Sequence, residues 1–116
     1  MSRKLSIKIG GSVYTIPLDN IVYLENELRK IRLYLVDGEL LFYGTFRQIL
    51  PALDDHFLCC SRSYIANMDH IHALRQCGQY EIMLDNGQSF SLSKKSFLEA
   101  KSRFNAYLQK NTAKTP

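Results

Sequence analysis

Apolar and polar residues alternate along most of this chain, and the few breaks in that rhythm mark its elements. Leu5, Ile7 and Ile9 alternate with Ser6 and Lys8, which predicts a half-buried strand. Gly10-Gly11 predicts a turn, Ser12 to Ile16 the returning strand, and Pro17 its end. Leu18-Asp19-Asn20 leads into Ile21-Val22-Tyr23-Leu24, a β-branched and aromatic run suited to a buried strand. Glu25 to Lys30 is polar, has no clear period and reads as a loop.

Two hairpins follow from the same logic. Ile31, Leu33 and Leu35 alternate with Arg32, Tyr34 and Val36, then Asp37-Gly38 precedes Leu40 to Tyr43. Asp-Gly tolerates the positive φ angles of a type I′ turn. Tyr80, Ile82 and Leu84 lead in the same way through Asn86-Gly87 to Ser89–Leu92. Between the hairpins, Thr45 can cap a short helix with Phe46, Ile49, Leu50 and Leu53 on one face, and Pro51 limits its regularity. Phe57 to Cys60, Tyr64 to Ala66 and Ile71 to Leu74 read as short strands, with Cys77-Gly78 turning back into Tyr80.

The end of the chain changes period. Ser93 can cap a helix in which Phe97, Ala100, Lys101, Phe104, Tyr107 and Leu108 recur at three- and four-residue spacing, with Lys101 contributing its stem. Residues 110–116 read as a frayed tail, so the ordered part is expected over about 5–109. The expectation is one mostly β domain: small antiparallel sheets, one short internal helix and a C-terminal helix.

Composition narrows the function classes. A chain of 116 residues suits one compact domain, and 46% hydrophobic against 22% charged residues makes it globular rather than disordered. No apolar run is long enough to span a bilayer, and the start of the chain lacks a signal-peptide pattern. Three cysteines, Cys59, Cys60 and Cys77, have no framework spacing, which suits reduced thiols and a cytoplasmic setting. The net charge of +4 is compatible with a polyanionic partner.

The positions of the cations say more than their number. Arg29-Lys30, Ser61-Arg62-Ser63 and Ser93-Lys94-Lys95 each interrupt an apolar run. Loops on a rigid β scaffold can aim long cations at a groove. Arginine's planar fork can hold guanine O6 and N7 together, lysine supplies a point charge, and serine hydroxyls suit phosphate oxygens. Set against this, lysine and arginine usually occupy loops because water solvates them there. The chain has no helix-turn-helix pattern, zinc-finger spacing or RNP signature.

The run Phe57-Leu58-Cys59-Cys60-Ser61-Arg62-Ser63-Tyr64-Ile65-Ala66-Asn67 resembles the hallmark of the LytTR family, roughly F-x-R-x-H-R-S-Y-I-V-N. Leu53-Asp54-Asp55-His56 before it, Asp69-His70-Ile71 after it, Phe42-Tyr43-Gly44-Thr45 and the stretch Leu84 to Lys95 are similar to that family too. The resemblance runs from about Leu5 to Tyr107. It implies an elongated fold of small antiparallel sheets and short helices. It also implies loops that enter successive major grooves at imperfect direct repeats in promoters, usually as two copies. Most members carry a receiver domain, and none is read within these 116 residues. The implied function is transcriptional regulation, as a response-regulator output domain or a free-standing regulator.

The resemblance assigns Arg62 to base edges or phosphate, Lys94 to the family's usual arginine in the last loop, and Arg29 and Lys30 to the first recognition loop. Ser61, Ser63 and Lys95 become phosphate contacts. Ser61 stands where histidine is frequent, Cys59 where arginine is common, and Lys94 cannot reproduce arginine's bidentate contact, so the resemblance implies DNA binding but not a target sequence. Asn67 matches the hallmark as well, and a short amide at a strand end is expected to satisfy backbone groups.

Other constellations carry less. His70 and His72 would share a strand face and, with His56 or a cysteine, could ligate a metal, but the chain has no CxxC or HxxxH and none is expected. Cys60 beside Arg62 could be oxidisable, against the simpler reading of a small buried apolar residue. No nucleophile elbow or glycine-rich phosphate loop is present, and Asp54-Asp55 has no obvious partner, so neither catalysis nor a cofactor is expected. The competing class is a protein-interaction β module whose apolar edge strand, Leu5 to Ile9, adds to a partner's sheet.

Overall fold

The computed structural model describes residues 3–112. The alternating segments form three antiparallel sheets. β1 (Lys4–Ile9) and β2 (Ser12–Pro17) make a two-stranded ribbon. β3 (Ile21–Glu27), β4 (Lys30–Leu35), β5 (Gly38–Tyr43), β6 (Phe57–Cys59) and β7 (Tyr64–Asn67) make a five-stranded sheet in the order β5-β4-β3-β7-β6. β8 (Ile71–Cys77), β9 (Gln79–Leu84) and β10 (Ser89–Leu92) make a three-stranded meander. The short helix α1 (Phe46–Ile49) and the terminal helix α2 (Lys94–Thr112) complete the described chain. The molecule is elongated, 48 × 34 × 24 Å.

β3 explains why its sequence does not alternate. It is the central strand and has core on both faces. Ile21 and Leu24 face the β1–β2 ribbon, whereas Val22 and Tyr23 face the meander and α2. The register slips between Ile21 and Tyr23, and a bulge of this kind lets two consecutive residues share a side. Leu24, Ile31, Leu33 and Ile65 are fully buried on the first face, each worth about 1.5–3 kcal/mol relative to exposure.

Both helices are capped as their sequences indicate. The Thr45 hydroxyl accepts from the Gln48 N–H while the Gln48 side chain accepts from the Thr45 N–H, a closed capping box. Pro51 converts the next turn to a 3-10 helix over Leu50–Ala52, which turns Leu50 to solvent instead of onto the expected face. Ser93 accepts from the Ser96 N–H at the start of α2. Phe97 and Ala100 are buried there, while Lys101 and Leu108 are exposed, so the apolar stripe is narrower than its spacing indicates. α2 runs to Thr112, beyond the expected start of the tail, and 113–116 lie outside the described residues.

Three turns differ from the sequence reading. Glu25–Lys30 is not a loop: β3 and β4 extend through it to the Glu27↔Lys30 pair, leaving a two-residue turn at Leu28-Arg29. The β4–β5 turn residues are Val36-Asp37 and not Asp37-Gly38, since Gly38 pairs with Leu35. Neither Val36 nor Asp37 has the positive φ of a type I′ turn, and the Val36 N–H donates to the Asn20 carbonyl at 3.0 Å, continuing the β3–β4 pairing one step beyond Ile21↔Leu35. The β9–β10 connection is a longer turn closed by Leu84 N–H to Gln88 O at 2.8 Å, with Gly87 alone taking positive φ.

Candidate nucleic-acid interface

The polar strand ends of the central sheet carry the first two basic segments. Arg29 is exposed at the β3–β4 turn, and its carbonyl accepts from the Gly44 N–H at 2.9 Å, which fixes the turn against the end of β5. Ser61–Ser63 connects β6 to β7. The N–H groups of Cys60 and Ser61 both donate to the Tyr64 carbonyl, and the Ser61 hydroxyl accepts from the Ser63 N–H. Asn26 ties the two segments together. Its backbone N–H donates to the Ser63 carbonyl at 2.8 Å, and its side-chain amide donates to the Arg62 carbonyl at 3.4 Å. Arg29 and Arg62 are therefore carried at the same end of the sheet. Asn26 fell inside the stretch read as a loop, and its place opposite Ser63 depends on a pairing that only the folded sheet makes.

α2 brings the third segment to this end. Tyr107 donates to Asp69, and its ring meets His56 edge-on, both at the far end of β7. Ala100 and Arg103 lie beside Cys59, nearer the Ser61–Ser63 loop. Continuing toward its N-terminus at about 1.5 Å per residue, the helix carries its first turn to the loop end. Lys94 and Lys95 are thus the first residues of a helix and not of a loop, as the sequence reading had them. Cations at a helix N-terminus oppose its dipole, so their placement does not serve helix stability.

The charges on these segments are uncommitted. Arg29, Arg62, Ser63, Lys94 and Lys95 are exposed, while Lys30 and Ser61 are half-buried. Among the described residues, the guanidinium groups of Arg29 and Arg62 and the amines of Lys94 and Lys95 enter no hydrogen bond or ion pair. Lys30 Nζ sits 5.3 Å from the centre of the Tyr43 ring. By contrast Arg32 is held by Glu27 at 2.7 Å and Glu39 at 2.8 Å, and these hydrogen bonds raise its pKa and lower that of Glu27. Glu25 is occupied by the hydroxyls of Tyr34 and Tyr64. The nearby carboxylates are in this way engaged away from Arg29 and Arg62.

The remaining candidates resolve differently. Asn67 is buried, donates to the carbonyls of Ile21 (2.9 Å) and Leu18 (3.4 Å), and accepts from the Asp69 N–H, which is the structural role its sequence position suggests. Cys60 is buried, and burial pushes its thiol up to about 12, so it has the character of a packed apolar residue. His56, His70 and His72 do not form a common site. His70 is bound through one ring nitrogen to Asp85 and through the other to the Asp19 carbonyl. His56 pairs with Asp54, so Asp54 does have a partner. Asp54, Asp55 and His56 lie within 4.8 Å of one another, but Asp54 Oδ1 already accepts from the His56 backbone and faces its ring.

No helix among the described residues is long and apolar enough to cross a membrane. No curated protein matches the sequence. Among solved structures, the chain is similar to the LytTr DNA-binding domain of a protein described as a methyl-accepting/DNA response regulator from Bacillus cereus. That match has a TM-score of 0.67 at 21% identity and covers 93% of this chain and 94% of that one, so it speaks for the fold. The family profile described as the LytTr DNA-binding domain matches residues 11–105. That match spans the central sheet, the meander, most of α2 and all three basic segments, and the chain therefore belongs to the LytTR family of domains that bind DNA in transcription regulation.

Proposed function

We propose that this chain is a single domain that reads promoter DNA sequence-specifically, inserting the Leu28-Arg29 turn, the Ser61–Ser63 loop and the start of α2 into major grooves at direct repeats. The carrying observation is the set of four uncommitted cations, Arg29, Arg62, Lys94 and Lys95, at one end of a stiff sheet. Free donors incur no loss of internal ion pairs when they turn to DNA. Arg62 reads a base edge, most naturally a guanine. Lys30, Ser61, Ser63 and Lys95 hold phosphates, which fix register without reading sequence. The 48 Å length of the molecule exceeds one helical turn of duplex, about 34 Å, so one copy reaches more than one groove segment. Two copies then occupy a direct repeat in the same orientation. The protein regulates transcription in the cytoplasm, as the output of a receiver domain or on its own.

Selection of bound duplexes from a random pool, followed by anisotropy titration, tests this. A recurring sequence is expected. Log affinity falls with log salt at a slope of about −3 to −6, and Arg62→Ala costs about 1–3 kcal/mol on the selected site. A pool that yields no preferred sequence rejects the proposal.

A further inference from the structure

The β3–β4 turn contains a residue that the fold alone does not account for. Leu28 has φ 61° and is 94% exposed. A left-handed conformation crowds the Cβ of any residue that has one, and turns that need it normally use glycine, asparagine or aspartate. Leu28 is the one non-glycine residue with positive φ among the described residues. Its side chain also stays in water, where it gains nothing from the core. Glycine would relieve both burdens. A strained, apolar side chain held at an exposed tip points to a use outside the folded chain.

Its surroundings identify the partner. Leu28 forms one wall of an open cleft of about 510 Å³ with Glu27, Arg29, Lys30 and Tyr43. Glu27 is engaged by Arg32, which leaves the cleft with Arg29 and Lys30 as its outward charges. Lys8, at the tip of the β1–β2 ribbon, lines an adjoining cleft with Lys30 and Tyr43. An apolar group ringed by cations fits a surface that is anionic around its edge and carries an isolated apolar group. The major groove of a duplex has that composition: phosphates along its walls and, on its floor, the C5 methyl of thymine.

We propose that Leu28 determines specificity by packing against a thymine methyl while Arg29, Lys30 and Lys8 take the flanking phosphates. This rests on the DNA-binding reading above. The test uses the full chain and the duplex it selects from a random pool. Each thymine is replaced in turn by deoxyuridine, which removes the methyl and keeps the pairing. The wild type should lose about three- to fivefold in affinity at one thymine, the worth of one buried methyl-sized group. Leu28→Gly, which suits the turn and should melt higher, should bind the thymine and deoxyuridine duplexes equally. A wild type that binds its selected duplex but ignores every deoxyuridine overturns the methyl contact and leaves the DNA-binding reading standing. Equal deoxyuridine losses in wild type and Leu28→Gly also overturn it. Failure of the wild type to prefer any sequence overturns both.

Discussion

The two ends of the central sheet treat charge in opposite ways. At the loop end, Arg29, Arg62, Lys94 and Lys95 have no ionic partner among the described residues. The other end gathers all six aspartates of the chain: Asp19 before β3, Asp37 in the β4–β5 turn, Asp54 and Asp55 before β6, Asp69 after β7 and Asp85 after β9. There three of the carboxylates, Asp54, Asp69 and Asp85, are tied in. His56 pairs with Asp54, His70 bridges Asp85 and the Asp19 carbonyl, and Tyr107 donates to Asp69. One end is built to hold the sheets and α2 together, and the other is left free to meet an anion. A net charge of +4 understates this separation, because an approaching polyanion meets the positive end first.

The largest test of that division removes the anchor of α2. Phe97 is 1% exposed and packs on Tyr80. Phe97→Ala should cost about 3–5 kcal/mol in a denaturant titration, and DNA affinity should fall with it because Lys94 loses its support. Asn67→Ala strips the carbonyls of Leu18 and Ile21 of their amide donor and should cost about 1–3 kcal/mol, with DNA contacts at the loop end intact once the protein is folded. If Asn67→Ala instead abolishes binding by a still-folded chain, the two ends are not separable. Lys94→Ala should leave the melting temperature nearly unchanged and make the salt slope shallower by about 0.9.

The smallest expected effect is with pH. Burial opposes protonation of His70, but the Asp19 carbonyl and Asp85 outweigh it and hold its pKa above the ordinary 6.5. His56, also opposed by burial, is raised by Asp54. A group whose folded pKa is raised contributes its full stability below the unfolded value and loses it as pH rises through the folded one. The melting temperature should therefore decline as pH rises above 6.5, and less steeply in His70→Gln. A steeper decline in that variant contradicts the assignment of the aspartate end as the titrating one.

Much of the candidate site was readable one residue at a time, and much of it was not. Arg62 and its flanking serines stand out because they interrupt two apolar strands in a recognisable order. Leu28 was hidden within a polar run, and only its backbone angle and exposure single it out. Asn26 carried no local signal, since its role is to meet a carbonyl 37 residues further along at Ser63.

The sequence by itself determined the alternation, the hairpin order, the capped helices and the family motif, because side-chain period and turn chemistry are local properties. The tertiary structure decided that β3 is buried on both faces, that Lys94 and Lys95 open a helix at the end carrying Arg62, and that the aspartates collect at the opposite end. Those outcomes depend on which strands pair and which faces meet. Such contacts join residues far apart in the chain, where no neighbouring pattern encodes them.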